Sequence, residues 1–204
     1  MIVPAVQPMI DRIARHKEED DSEMRLIKSK KASLYVFKSC WHIFSTLGLL
    51  NCVMDKAWMP SYMGGKGSFM AGFTDMPFTP MDRDGYYFGL IILGYPLYET
   101  GLHFTKKDRT PDFAEMSLHH LTHLALASCY LFTNMIPVGS LVALLHVSCD
   151  VPCALTKVFH LTNVTAPAIA LLFITQVFWF YNRIICLPTI IYEIYEGLKY
   201  SADR

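Results

Sequence analysis

Residues 138–160, VGSLVALLHVSCDVPCALTKVFH, and the stretch before them, residues 113–135, FAEMSLHHLTHLALASCYLFTNM, decide how this chain folds. Each is apolar nearly all round over about 20 residues, the length a helix needs to cross a hydrocarbon core of about 30 Å. A soluble helix or strand would be interrupted by polar positions at a period of 3.6 or 2. Here the charged side chains are only Glu115, Asp150 and Lys157, beside histidines and small hydroxyls, too few for a solvated face. A short turn at Pro137 and Gly139 joins the two stretches, so they are expected to be antiparallel neighbours.

Working outward, the same reading gives three further spans. Residues 35–54 carry Lys38, Trp41 and His42; residues 86–104 carry Glu99, with Pro96 as a kink; residues 165–185 are followed by Pro188. The expected fold class is all-α, a multi-pass transmembrane helical bundle of about five spans. Residues 1–34 form a polar, charge-mixed lead, residues 35–190 the transmembrane domain, and residues 191–204 an interfacial tail. In that tail Ile191, Ile194 and Leu198 lie on one side, with Glu193, Glu196 and Lys199 among the polar positions. The connection at residues 55–84, rich in Gly, Pro, Met and aromatics, is too long for an ordinary helix–helix loop. It is expected to pack on the membrane surface or on a partner.

Composition agrees with a membrane class: 52% of the 204 residues are hydrophobic and 18% charged. The net charge of zero gives no field to attract nucleic acid, so none is expected as a partner. The cysteines lack CxxC spacing and read as small buried hydrophobes. The start, residues 2–13, is too short and polar for a signal peptide, and the acidic run Glu18-Glu19-Asp20-Asp21 argues against an ordinary mitochondrial presequence. Lys and Arg crowd the lead and the loop Lys106-Lys107-Asp108-Arg109, which places the N-terminus on the cytosolic or matrix side. That orientation puts the sequon at Asn163 on the unmodified side.

Ionisable residues at mid-membrane cost a few kcal/mol on insertion scales, so they usually face a bundle interior and have a task. At 100° per residue, His119, Thr122, His123, Leu126 and Tyr130 share one helix face, with His120 on the flank. His146, Asp150, Cys153 and Lys157 form a row on the next helix. If the two stripes meet, they enclose a pocket of imidazoles, a carboxylate, a hydroxyl and a phenol. Three chemistries fit: acid–base or nucleophilic acyl transfer, a metal held by His119/His123 and His146/Asp150, or a hydrogen-bonded polar core that locks two helices together. Glu99 either faces the cluster or reaches headgroup water. Lys157 and Arg183 either hold a CoA or lipid phosphate or anchor their helices at the interface.

The run Asp112-Phe113-Ala114-Glu115-Met116-Ser117-Leu118-His119-His120-Leu121-Thr122, continuing through Ser128, Tyr130, Asn134, Leu144-Leu145-His146, Asp150, Lys157, Arg183 and Pro188, resembles the TLC domain family. The likeness covers about residues 36–190. It implies a helical bundle around a lipid-sized tunnel. In the ceramide synthases of that family the site transfers a fatty acyl group from acyl-CoA to a sphingoid-base amine. The resemblance makes His119, His120, His146 and Asp150 the catalytic set of an active member; from their own types and positions, Thr122, Tyr130, Glu99, Lys157 and Arg183 are expected to bind lipid.

The departures from the family pattern bear on activity. Val147 stands where aspartate would follow His146, Pro137 where arginine is usual, and Ala154 where an acidic residue is common. The family's final membrane helix is expected to be absent. Loss of a carboxylate that orients an imidazole commonly lowers a rate by orders of magnitude. The expectation is a divergent, non-catalytic lipid-binding or structural subunit of a larger membrane complex, with membrane lipids and other subunits as partners. No cofactor and no resident metal are expected. The alternative is a ceramide-synthase-like N-acyltransferase with acyl-CoA as substrate. The resemblance points to the endoplasmic reticulum, with a mitochondrial inner-membrane assembly as the alternative.

Overall fold

The computed structural model describes residues 2–13, 22–75, 82–105 and 111–202. The expected acidic run at 18–21 and basic loop at 106–109 lie outside these residues. The described residues are mostly helical, in the order α1 (Ile2–Ile13), α2 (Ser22–Val53), two short 3-10 turns (Ser61–Met63 and Phe69–Phe73), α3 (Arg83–Thr105), α4 (Phe113–Phe132), α5 (Ile136–Leu161), α6 (Thr165–Phe180), a π-helical segment (Tyr181–Cys186) and α7 (Leu187–Ala202). Among the described residues, extended pairing is limited to one isolated bridge between Pro60 and Gly67. The fold is all-α, as the apolar stretches predicted.

Two helical stretches, Ile136–Leu161 and Thr165–Tyr200, are long and apolar enough to cross a membrane. The first is partly buried in the protein; the second turns outward, with Phe173 71% and Ile169 63% exposed. Such a surface is tolerable only in an apolar solvent or against a partner. Two hydroxyls are satisfied within their own helices: Thr100 of α3 donates to the carbonyl of Pro96 and Thr156 of α5 to that of Pro152, each one turn back. Both prolines therefore sit within continuous helix, as neighbouring polar groups allow in apolar surroundings.

Three boundaries differ from the sequence reading. Helix α2 starts at Ser22, well before Tyr35, because helical propensity carries through the polar residues of the lead even though hydropathy does not. The turn between α4 and α5 is made by residues 133–135, with Asn134 in the left-handed region at φ 56°; Pro137 and Gly139 lie in the first turn of α5. Proline belongs there, since its missing N–H is one the first turn leaves unpaired anyway, and asparagine tolerates the left-handed turn. Finally, the helix does not stop at Pro188. A π-helical segment leads from α6 into α7, and Pro188 falls in the first turn of α7.

The residues fall into two compact units. The first comprises residues 1–47 and 145–186. Its core joins Ile10, Ala32 and Val158, with Val6, Tyr35, Val36 and Leu161 packed around them. The π-helical segment is tied to α5 by Asn182, a buried amide that donates to the carbonyl of Leu145 (3.2 Å), Ser148 Oγ (3.0 Å) and Cys149 Sγ (3.2 Å).

The second unit comprises residues 48–144 and 187–204. Here the long connection folds onto the chain's own helix α7. Tyr62 donates to Glu193 Oε2 at 2.5 Å, Phe73 lies against Gly197, and Phe69 and Phe73 meet edge to face at 5.4 Å. The connection thus packs on Glu193 and Gly197 of the tail of the same chain. Lys56 pairs with Asp82 at 2.9 Å between its two ends. Tyr130 fills the space that two glycines leave open: a Cβ at Gly139 would lie 2.0 Å from Tyr130 Cγ, and one at Gly89 would lie 2.9 Å from its hydroxyl.

Candidate functional site

The sequence-predicted site residues divide between the two units. Glu99, His119, His120, Thr122, His123 and Tyr130 belong to the second; His146, Asp150, Lys157 and Arg183 belong to the first. Each group is placed by its own surroundings.

In the second unit α4 packs against α3. The stripe it turns inward is Phe113, Ser117, His120, Leu124, Ala127 and Leu131, all half-buried or buried. This is one residue step round from the face expected to carry the chemistry. His119, Thr122, His123 and Leu126 are exposed, and Tyr130 is a packing residue between glycines. His120, expected on the flank, is the imidazole that points into the helix pair. Its ring lies 5.0 Å from that of His103 on α3, while His119 is 5.7 Å from His120 and 6.4 Å from His123.

His103 was not among the sequence-predicted residues, yet it is the most buried imidazole of the group, 8% exposed. Its Nε2 lies 2.9 Å from Ser117 Oγ and 3.3 Å from the carbonyl of Phe113, and its ring stacks on Phe113 at 4.5 Å. Because Ser117 already donates to the Phe113 carbonyl at 2.7 Å, its oxygen is left to accept from His103. That fixes the proton of His103 on Nε2. The sequence does carry a signal for it: Glu99 and His103 stand one turn apart on the same side of an apolar helix. Glu99 itself is half-buried.

In the first unit the π-helical segment places Arg183 against α5, where Nη1 donates to Nε2 of His146. π-helical turns recur at functional sites because the extra residue re-aims a side chain. An Nε2 that accepts a hydrogen bond must carry its proton on Nδ1, so His146 is held as one neutral tautomer. Asp150, expected to assist His146, faces α2 instead, with Oδ2 3.9 Å from Nδ1 of His42. That distance is within ion-pair reach when the ring is protonated and is longer than a hydrogen bond. The cations acting on the Asp150 carboxylate are Arg183, then Lys157, then Lys38. His42 is the second residue the sequence-based set left out, although Lys38 and His42 stand one turn apart in the first apolar stretch.

No three His, Cys, Asp or Glu side chains are arranged to hold a metal ion among the described residues. What the geometry offers chemically is an imidazole pair, His103 and His120, with one proton position fixed, and a second imidazole, His146, whose lone pair a guanidinium occupies.

The TLC domain model matches residues 31–203, and with them every site residue described above. The chain belongs to the TLC domain family. Among curated relatives, this TLC domain protein is 24% identical over 183 residues to ceramide synthase 3 of Homo sapiens, covering 88% of this chain and 44% of that one. It is 33% identical over 78 residues to ceramide synthase 4 of Bos taurus, covering 38% of this chain and 20% of that one. The chain thus spans less than half the length of the curated relatives it matches. No solved structure matches it. It is an all-α TLC-family membrane protein.

Proposed function

We propose that this TLC domain protein binds membrane lipid and serves as a non-catalytic subunit of a larger membrane assembly. The observation that carries the reading is the Arg183–His146 contact beside Val147. An imidazole acts as base or nucleophile through a free nitrogen lone pair. At His146 the Nε2 lone pair is already used, Nδ1 carries the proton, and the adjacent position holds an isopropyl group rather than a carboxylate. The outward apolar and aromatic faces of α6 and α7, including Tyr192 and Tyr195 at 64% exposure each, suit lipid and neighbouring subunits.

A second reading, a ceramide-synthase-like N-acyltransferase, is favoured by the His103–Ser117–His120 arrangement. In that chemistry the acyl carbon leaves the thioester sulfur of acyl-CoA for the sphingoid amine. The C–S bond breaks as the C–N bond forms, and His119 or His120 relays the proton the amine loses to the departing sulfur, so that CoA leaves as the thiol. His103 would hold His120 in place.

One preparation tests both. The full chain is extracted from its native membrane in mild detergent, then assayed for bound lipid, for stoichiometric partner subunits and for N-acyl product from acyl-CoA and a sphingoid base. The expected result is retained lipid, co-migrating subunits and no product. N-acyl product that disappears in His119→Ala and His120→Ala would replace the first reading by the second. Fractionation of the same membranes decides between the endoplasmic reticulum, which the relatives' resemblance favours, and the mitochondrial inner membrane.

A further inference from the structure

In the first unit two lysines from different helices converge on one tyrosine. Lys157 of α5 places its Nζ 5.1 Å from the centroid of the Tyr35 ring, and Lys38 of α2 places its Nζ 5.8 Å from the same centroid. Like charges so placed repel, and the face of a tyrosine offsets only part of that, about 0.5–1 kcal/mol per contact at exposed sites. Both lysines act on the charge of Asp150, whose carboxylate is directed to His42. Among the described residues Lys157 has no carboxylate within ion-pair distance.

The position matters as much as the charge. Tyr35, Val36 and Leu161 pack against the cluster that holds Ala32 and Val158, so the beginning of the apolar part of α2 lies beside the end of α5. Lys38 stands one turn into the first apolar stretch, and Lys157 stands one turn before the end of α5 at Leu161. The charge bias along the sequence puts both ends on the same membrane face, at headgroup depth. Basic positions between membrane helices at that depth are where anionic headgroups dock.

We infer that Lys38 and Lys157, set around the Tyr35 ring, form a seat for a phosphate group, with the phosphate between the two ammonium groups. The inference rests on the lipid-binding reading above and goes further, naming the ligand chemistry and the residues. A phosphomonoester, bearing more than one negative charge, suits the pair better than a zwitterionic headgroup, whose own choline would meet the lysines. The phosphate has two possible sources, an anionic membrane lipid or a soluble phosphate such as that of CoA.

The test uses the full chain in nanodiscs of phosphatidylcholine doped with phosphatidic acid, with bound lipid read by native mass spectrometry. Wild type is expected to retain phosphatidic acid over phosphatidylcholine. The Lys38→Gln/Lys157→Gln double variant should lose that preference about tenfold while still carrying phosphatidylcholine. A Lys199→Gln control, in the other unit, should behave as wild type. Tyr35→Phe should keep the preference, since the ring face and not the hydroxyl is used. Added CoA that displaces the lipid from wild type, but leaves the double variant unaffected, identifies the soluble source; no displacement identifies the membrane one. Equal retention by wild type and double variant overturns the seat and leaves lipid binding standing. Wild type without any bound lipid overturns the lipid-binding reading itself.

Discussion

Arg183 donates from Nη1 to Nε2 of His146, and this contact governs what the second histidine motif can do. It crosses 37 residues of sequence and depends on the π-helical segment Tyr181–Cys186 to aim the guanidinium at α5. Replacing Arg183 by Gln should free the Nε2 lone pair. Carbethoxylation of His146 by diethyl pyrocarbonate, followed by peptide mass spectrometry, should rise several-fold in Arg183→Gln, with His160 as the unaffected reference. Equal modification of His146 in both proteins would show that Arg183 does not mask it.

Asn182 is the anchor of the same segment. Its buried amide serves three acceptors on α5, and its removal leaves the Leu145 carbonyl and its neighbours without that donor. Asn182→Ala should therefore cost about 1–3 kcal/mol. The check is detergent thermal denaturation followed by circular dichroism. Because the π-helical segment depends on this anchor, Asn182→Ala should also raise His146 modification, in the same direction as Arg183→Gln.

Gly139 has no room for a methyl group. A Cβ there would fall 2.0 Å from Tyr130 Cγ, inside the ring's own volume. Gly139→Ala should destabilise the protein by about 1–3 kcal/mol or more, the range for overpacking a tight contact. Tyr130→Ala in the same chain should recover part of the loss, because the two positions share one space and their effects are not additive. Full additivity in melting temperature would refute the contact.

The Tyr62–Glu193 hydrogen bond at 2.5 Å holds the long connection to α7. Tyr62→Phe and Glu193→Gln should each weaken it, by about 1.5–3 kcal/mol at most for a bond to a charged group and less where water reaches it. Limited proteolysis within residues 55–75 should speed up in either variant. In the double variant the rate should match that of the singles, as expected when both changes remove one interaction.

The apolar lengths are legible in the sequence, and so are the helices they form. Hydropathy over a window needs no partner to be known. The ends of the helices were less legible. Ser22 begins α2 inside a polar stretch, and Pro188 sits in the first turn of α7, because helix geometry tolerates polar residues and N-terminal prolines that a hydropathy reading treats as boundaries. Periodicity placed His119, Thr122 and His123 together on α4, as they are. Which stripe faces α3 was not readable, and the inward one is Phe113, Ser117 and His120.

The sequence by itself determined the all-α class, the family and the presence of imidazoles in apolar helices, because residue type, spacing and window length are properties of the chain taken in order. Tertiary structure alone decided that His120 meets His103, that Arg183 rather than Asp150 engages His146, and that Asp150 turns to His42. Each of those pairings depends on the rotation of one helix about its axis against another. A 100° step between adjacent residues leaves that rotation open until the small side chains, the glycines at 89 and 139 among them, fix how closely the helices approach.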